Sequence, residues 1–230
     1  MDIDRKKLAR LIDLSCVQAN HTDDEIRTMA AVAKKHSCVC CFALPSRTPL
    51  LVESLAGRSD IAVGGTIGFP DGGATTANKT AELRELRSMG CSEFDMVVNI
   101  GWIKSGRYDL VERDIRGVLD AAAGAPLKTI LECHYLTNDE IVRASKLAAG
   151  CGVAFVKTGT GWAPTGATLE NVRLMAAAVE GKCQIKAAGG VRDLQTLLAM
   201  VELGVTRFGI GVRTALGILE GTDAGKPETY

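Results

Sequence analysis

Short apolar runs alternate along the chain with longer stretches whose apolar residues recur every three or four positions. The runs are Leu11 to Cys16, Cys38 to Leu44, Ile61 to Gly68, Phe94 to Ile100, Leu127 to Cys133, Val153 to Lys157, Cys183 to Ala188 and Thr206 to Gly211. Val, Ile, Phe and Cys dominate them with little polar alternation, the pattern of parallel strands covered on both faces. Between them Val111, Ile115, Val118, Leu119 and Ala122 fall on one helical face. Thr22 with Glu25, and Thr137 with Glu140, predict capping boxes at two helix starts. Gly90, Gly150, Gly181 and Gly204 predict helix ends. Eight strand–helix units in 230 residues predict an α/β chain folded as a single (β/α)8 TIM barrel. The barrel domain is expected over residues 1–220, with a loose tail over 221–230. An open doubly wound sheet is the rival, but it usually needs fewer strands, and no G-x-G-x-x-G follows the first one.

Composition narrows the function. The 27 basic and 27 acidic side chains cancel, which removes any general pull toward nucleic acid or an anionic membrane. Aromatic residues make up 4%, too few for stacking platforms on single strands. The N-terminus lacks the apolar run of a signal peptide, and no stretch approaches the ~20 apolar residues that span a bilayer. A cytoplasmic protein is expected. Most of the eight cysteines lie in apolar runs and read as small buried hydrophobes. His36, Cys38, Cys40 and Cys41 suggest a metal site, but strand alternation points Cys40 and Cys41 to opposite faces, and no second cluster completes four ligands. No metal and no cofactor are expected.

Barrel chemistry sits at the carboxyl ends of the strands. Those ends offer Asp13 and Ser15, Cys41, Thr66 and Gly68, Asp95 and Asn99, Glu132, Lys157, Lys186, and Gly209 with Gly211. Lys157 ends the buried run V-A-F-V, where an ammonium is poorly hydrated and its pKa falls. A neutral lysine amine attacks carbonyls and forms a Schiff base. Lys186 lies on the next strand, and two ammonium groups at ~6 Å repel by roughly 3 kcal/mol at an effective dielectric near 20. Asp95 sits among apolar neighbours, where it needs a partner; it would compensate charge and shuttle protons. Asp95, Val97 and Asn99 are expected to share a face. The same Lys–Asp–Lys set also fits a purely structural ion network.

The motifs F-V-K-T-G-T-G around Lys157, I-K-A-A-G-G around Lys186 and E-F-D-M-V-V-N-I-G around Asp95 resemble the deoxyribose-phosphate aldolase family. I-G-F-P at 67–70, G-A-T-T at 73–76 and L-K-T-I-L-E at 127–132 do so as well, in order, from about Asp13 to Ile210. The resemblance implies a TIM barrel and a metal-free class I aldolase of deoxyribonucleotide and carbohydrate catabolism. Such an enzyme reversibly cleaves 2-deoxy-D-ribose 5-phosphate to D-glyceraldehyde 3-phosphate and acetaldehyde. By motif, Lys157 would be the Schiff-base lysine, Lys186 the neighbour that lowers its pKa, Asp95 the proton-transfer carboxylate and Asp13 its support. Ser15, where the family often has Thr, and Thr160 would contact substrate hydroxyls. Gly161, Gly189, Gly190, Gly209 and Gly211 would line the sugar-phosphate site. The partner is a small sugar phosphate or aldehyde, with a homo-oligomer as the assembly.

Two departures stand out. The loop after the last strand reads G-I-G-V-R-T, so Gly211 and Val212 occupy positions where the family usually has two serines; Arg213 follows and could offer a charged fork instead. T-G-T-G-W replaces the common T-S-T-G, so Gly159 lacks a hydroxyl and Trp162 adds bulk. These departures leave open an aldolase acting on a different or unphosphorylated sugar or an aldehyde acid. The reading from a different class is a phosphosugar isomerase or a non-catalytic sugar-phosphate-binding barrel. His21, His36 and His134 read as structural, Glu132 as a buttress, Cys41 as a thiol near the site open to alkylation by aldehydes, and Tyr230 as part of the loose tail.

Overall fold

The computed structural model describes residues 4–221. Eight parallel strands close into a barrel in sequence order: β1 (Ile12–Cys16), β2 (Cys40–Ala43), β3 (Ala62–Ile67), β4 (Glu93–Val97), β5 (Leu127–Ile130), β6 (Phe155–Lys157), β7 (Gln184–Ala188) and β8 (Val205–Ile210). Around them lie α1 (Arg5–Ala9), α2 (Asp23–His36), α3 (Thr48–Ser54), α4 (Thr76–Ser88), α5 (Ile100–Lys104), α6 (Tyr108–Ala122), α7 (Asn138–Cys151), α8 (Leu169–Val179), α9 (Leu194–Glu202) and α10 (Val212–Glu220). The expected tail and Tyr230 fall outside the described residues, apart from Gly221, which caps α10 at φ 69°.

The helices form where the sequence supplies their ends. Thr22 and Thr137 each make the full capping box with Glu25 and Glu140. In α2 the first turn holds Asp23, Asp24 and Glu25 and the last holds Lys34, Lys35 and His36, which complements the helix dipole at both ends. Its buried face, Ile26, Met29, Ala30 and Ala33, packs on the outside of the barrel wall with Leu14, Cys41 and Leu51.

The strands are shorter than the apolar runs that announce them. The run Phe94 to Ile100 leaves the sheet after Val97, and Asn99 caps α5 by accepting from the Trp102 amide at 3.1 Å. It therefore shares no sheet face with Asp95. Gly150 lies inside α7, and Gly152, in the left-handed region at φ 91°, ends it. Cys40 and Cys41 part as alternation requires: Cys40 packs inside with Val17 and Phe42, and Cys41 joins the outer core. All eight cysteines are free thiols. Cys41 lies in the outer core rather than near the site, and burial raises its thiol well above the ordinary value, so nothing marks it as a nucleophile for aldehydes.

Candidate active site

Strand register carries the charged side chains inward. Thr66 pairs with Asp95, and Asp95 with Lys128. Lys157 pairs with Lys186, and Lys186 with Arg207 across a register shift in β7 and β8. Gly209 pairs with Asp13 on the closing seam. The interior is therefore charged rather than apolar. Asp13, Asp95 and Lys128 are fully buried, Lys186 is 1% exposed and Lys157 is 7% exposed.

One carboxylate organises it. Asp95 Oδ2 accepts from Lys157 Nζ at 2.8 Å and from Lys186 Nζ at 2.7 Å, so the two ammonium groups lie within two hydrogen-bond lengths of each other. Asp95 Oδ1 lies 3.1 Å from Lys128 Nζ. Lys186 also reaches Asp13 Oδ2 at 2.6 Å. Beyond them, Arg207 Nε donates to Asp13 Oδ1 at 2.6 Å and its Nη2 to Glu93 Oε2 at 2.5 Å; Lys128 donates to that same Glu93 oxygen at 2.7 Å.

Phe42 lies at the centre, with its ring centroid 4.1 Å from Lys186 Nζ, 5.2 Å from Lys128 Nζ and 6.0 Å from Lys157 Nζ, inside cation–π range. Gly64 on β3 makes this placement feasible, since a Cβ there would stand 2.2 Å from the Phe42 ring. Gly209 plays a similar part for Lys186: its Cβ would lie 2.9 Å from Ala188 Cβ and 3.4 Å from Lys186 Cε.

Burial pulls the Lys157 ammonium down to about 8; Asp95 opposes the shift and Lys186 adds to it. Of the two causes expected from sequence, desolvation thus ranks ahead of repulsion from Lys186. At pH 7 about a tenth of such an amine is neutral, against roughly three in ten thousand for an ordinary lysine. Burial would raise the Asp95 carboxyl, but Lys128, Lys157 and Lys186 together hold it well below the usual range. Asp13 is also lowered, its burial outweighed by Lys186, Lys128 and Arg207.

A cavity opens above this floor at the carboxyl ends of the strands. Lys157, Lys186, Asp13, Ser15, Thr160, Gly161, Gly189, Gly209 and Gly211 all line it, together with Phe42, Thr66 and His21. Gly190 and Arg213 do not. Gly190, at φ 138°, backs onto the loop after β6, where a Cβ would meet the Ala167 carbonyl at 2.8 Å. Arg213 lines a neighbouring cavity that shares Ser15 and His21 with the central one.

Thr160 is held from below by Glu132, which accepts from its amide at 3.3 Å and from its hydroxyl. Glu132 is 2% exposed and sits in the left-handed region at φ 54°, a strained backbone that its buttressing contacts hold in place. This explains Gly159, whose Cβ would stand 2.8 Å from Glu132 Oε1. Trp162 turns away from the cavity floor: its Nε1 donates to the Val17 carbonyl at 2.9 Å, and its ring meets Phe69 edge-on at 6.1 Å. It clasps the loops after β1, β3 and β6 together. His36 pairs with Glu220, and His134 with Thr165, both on the surface. Among the described residues no group of three or more His, Cys, Asp or Glu is placed to hold a metal ion.

Strand-end reasoning misses Lys128, Glu93, Arg207 and Phe42. The signal available for Lys128 is a lone lysine inside the four-residue run L-K-T-I, too deep in its strand to reach solvent.

A closed eight-stranded barrel with a charged cavity at the carboxyl ends of its strands defines an enzyme of the TIM-barrel class. The comparisons with known proteins agree. The model of the DeoC/LacD family of aldolases matches residues 9–221. A deoxyribose-phosphate aldolase from Sinorhizobium medicae is 47% identical over 214 residues, covering 93% of this chain and 86% of that one. The crystal structure of a putative deoxyribose-phosphate aldolase from Coccidioides immitis superposes with a TM-score of 0.90 at 33% identity, covering 95% of this chain and 87% of that one. A deoxyribose phosphate aldolase from Aeropyrum pernix, described as a unique tetrameric structure, gives a TM-score of 0.84 at 25% identity over 95% and 92% of the two chains. This chain belongs to the DeoC/LacD aldolase family.

Proposed function

We propose that this protein is a class I deoxyribose-phosphate aldolase in which Lys157 forms the Schiff base. The reaction is reversible cleavage of 2-deoxy-D-ribose 5-phosphate to D-glyceraldehyde 3-phosphate and acetaldehyde. The observation that carries the reading is a lysine amine with a pKa brought to about 8, lining the cavity and sharing a carboxylate oxygen with Lys186.

The neutral Nζ of Lys157 attacks C1 of the open-chain sugar and gives a carbinolamine, which loses water to form the imine. Removal of the C3 hydroxyl proton breaks the C2–C3 bond. The bonding pair moves through C2 into the C1–N system, leaving an enamine on Lys157 and releasing D-glyceraldehyde 3-phosphate. Protonation at C2 and hydrolysis of the imine return the amine and acetaldehyde. Asp95 joins Lys157 to Lys186 through one oxygen and serves the proton transfers between them, with Lys186 as the adjacent donor.

Thr160 already donates to Glu132 and accepts from the Trp162 amide at 2.9 Å, which leaves one lone pair for a substrate hydroxyl. Ser15 is the second hydroxyl contact. At the phosphate end, the first turn of α10 follows Gly211, which offers no side-chain cap, and its amides suit an anion as helix N-termini do. Arg213 approaches from the neighbouring cavity. Each serine hydroxyl missing from this loop is worth about 1.5–3 kcal/mol toward a charged phosphate, so Arg213 becomes the compensating group.

The catalytic unit is one domain over residues 1–220. No helix among the described residues is long and apolar enough to cross a membrane, which fits a cytoplasmic enzyme. The name of the Aeropyrum pernix relative supports a homo-oligomer, and the solution mass is the measurement for it.

The test is reduction with borohydride in the presence of deoxyribose 5-phosphate, followed by peptide mass mapping. The expected result is a reduced adduct on Lys157. Turnover without an adduct would point instead to an isomerase acting through acid and base alone. Comparing deoxyribose 5-phosphate with deoxyribose, in the wild type and in Arg213→Ala, reads the phosphate end. The expected outcome is a phosphate preference that falls about tenfold in the variant.

A further inference from the structure

The contacts in the barrel interior close on themselves. Arg207 meets Asp13 at 2.6 Å, Asp13 meets Lys186 at 2.6 Å, and Lys186 meets Asp95 at 2.7 Å. Asp95 meets Lys128 at 3.1 Å, Lys128 meets Glu93 at 2.7 Å, and Glu93 returns to Arg207 at 2.5 Å. This is a ring of three cations and three anions in strict alternation, with no net charge. Lys157 stands outside it, attached through Asp95 alone at 2.8 Å.

We propose that this ring sets the charge of Lys157, and that Lys128, Glu93 and Arg207 are positioning residues for the nucleophile. They neutralise the interior carboxylates without Lys157, so that Lys157 is the surplus cation. A buried cavity tolerates a balanced network far better than a net charge. The proton that leaves is therefore the one on the group outside the ring. This inference rests on the aldolase reading above and adds a reason why Lys157, of the three lysines in the barrel interior, becomes the amine.

The groups facing Lys157 from every strand bear this out. Asp13 on β1 and Asp95 on β4 are held low, and so ionised, by their lysine and arginine neighbours against the effect of burial. On β5, burial would lower Lys128, but Asp95, Asp13 and Glu93 raise it; on β8, Asp13 and Glu93 do the same for Arg207. Both stay cationic. Cys40 on β2 is kept a neutral thiol by burial. Beyond the end of β5, burial raises the Glu132 carboxyl against its bonds to Thr160. Lys186 on β7 lies inside the ring, Thr66 on β3 carries no charge, and His21 reaches the same cavity from the loop after β1. Where Lys128 and Arg207 are raised, Lys157 is lowered, chiefly by burial.

Two substitutions push the balance in opposite directions. Lys128→Met removes a cation, leaves the ring net negative and makes Lys157 keep its proton. Glu93→Gln removes an anion, leaves the ring net positive and makes Lys157 shed its proton more readily. The double variant removes the facing pair and restores neutrality. The readout is the pH dependence of imine formation at Lys157, measured with acetaldehyde and cyanoborohydride in the full-length protein and located by peptide mass. Nζ attacks the carbonyl carbon and water leaves. The imine nitrogen takes up a proton, hydride from cyanoborohydride adds to the C=N carbon, and a secondary amine results. Acetaldehyde carries no phosphate, so the phosphate end does not enter.

Relative to wild type at pH 7, labelling is expected to fall about tenfold in Lys128→Met and to rise about fivefold in Glu93→Gln. The double variant and Lys128→Arg are expected to return near the wild-type profile. Arg207→Met provides a second cation deletion, expected to shift in the same direction as Lys128→Met, should that variant not fold. A network that served stability alone would lower melting temperature in all of these and leave the labelling midpoint fixed. That result, or shifts of one sign in Lys128→Met and Glu93→Gln, overturns the proposal while leaving the aldolase reading intact. Absence of labelling in the wild type overturns both.

Discussion

Lys79 and Lys157 are both buried and paired with aspartate, yet they serve different ends. Lys79 on α4 is fully buried; its Nζ donates to Asp114 at 2.6 Å and to the Val97 carbonyl at 2.9 Å. Asp114 in turn accepts from Thr76 at 2.7 Å. Lys157 shares Asp95 with two other lysines and lines an open cavity. Burial lowers the pKa of both. Desolvation alone therefore does not make a nucleophile. Lys79 has its own carboxylate and no route to a substrate, and it pins α4 to α6 and β4. Lys157 has a share of a carboxylate and a cavity above it.

The largest effect expected from breaking this contrast is on catalysis. Lys157→Met should lose at least about ten-thousandfold in kcat, because the covalent route disappears. Its melting temperature should hold or rise, since a surplus buried cation is removed and Asp95 keeps Lys128 and Lys186. Lys79→Met should do the reverse. It strands Asp114 in the core and should cost about 3–5 kcal/mol, read as a large fall in the urea midpoint. Enzyme that remains folded should keep its Schiff-base chemistry, with borohydride labelling still on Lys157.

The pH profile sharpens the same point on a smaller scale. A lysine amine lowered to about 8 is protonated below that pH and free above it. Log kcat/KM should therefore rise with unit slope from about pH 6 and level off above about pH 8, a gain near tenfold between pH 7 and the plateau. Asp13 and Asp95 are both lowered, stay ionised across this window and add no second limb. A flat profile in initial rates would remove the neutral amine from the mechanism.

How much of this could be read from sequence follows from where each residue sits in its strand. Lys157 ends β6, and Lys186, Asp95 and Asp13 interrupt apolar runs, where a polar residue needs a reason. Glu93 opens β4, and Lys128 and Arg207 lie inside β5 and β8 at the level of Asp95 and Lys186, so a survey of carboxyl ends passes over them. Their meeting depends on register, including the shift between Ile185 and Lys186 that aligns Lys186 with Arg207. No local pattern encodes that alignment, because it is fixed by how neighbouring strands pack. The eight strands were legible as apolar runs, but their ends were not. Val98 is as buried as the strand before it, so its hydrophobicity does not mark the exit of the chain toward the Asn99 cap.

The smallest expected effect comes from a pair with the same geometry in a different place. Lys104 meets Glu140 at 2.8 Å, the same separation as Lys157 and Asp95, but the Lys104 side chain is 44% exposed. Water hydrates both partners, and salt screens them. Lys104→Ala should therefore cost under about 1 kcal/mol in urea unfolding and leave kcat, KM and the pH profile unchanged. Glu140 keeps its place in the Thr137 capping box, so α7 should stay intact. A loss as large as that of Lys79→Met would mean that distance governs these pairs. A small loss, beside the large effects at Lys79 and Lys157, would show that the surroundings of an ion pair decide whether it holds the fold, drives the chemistry or does neither.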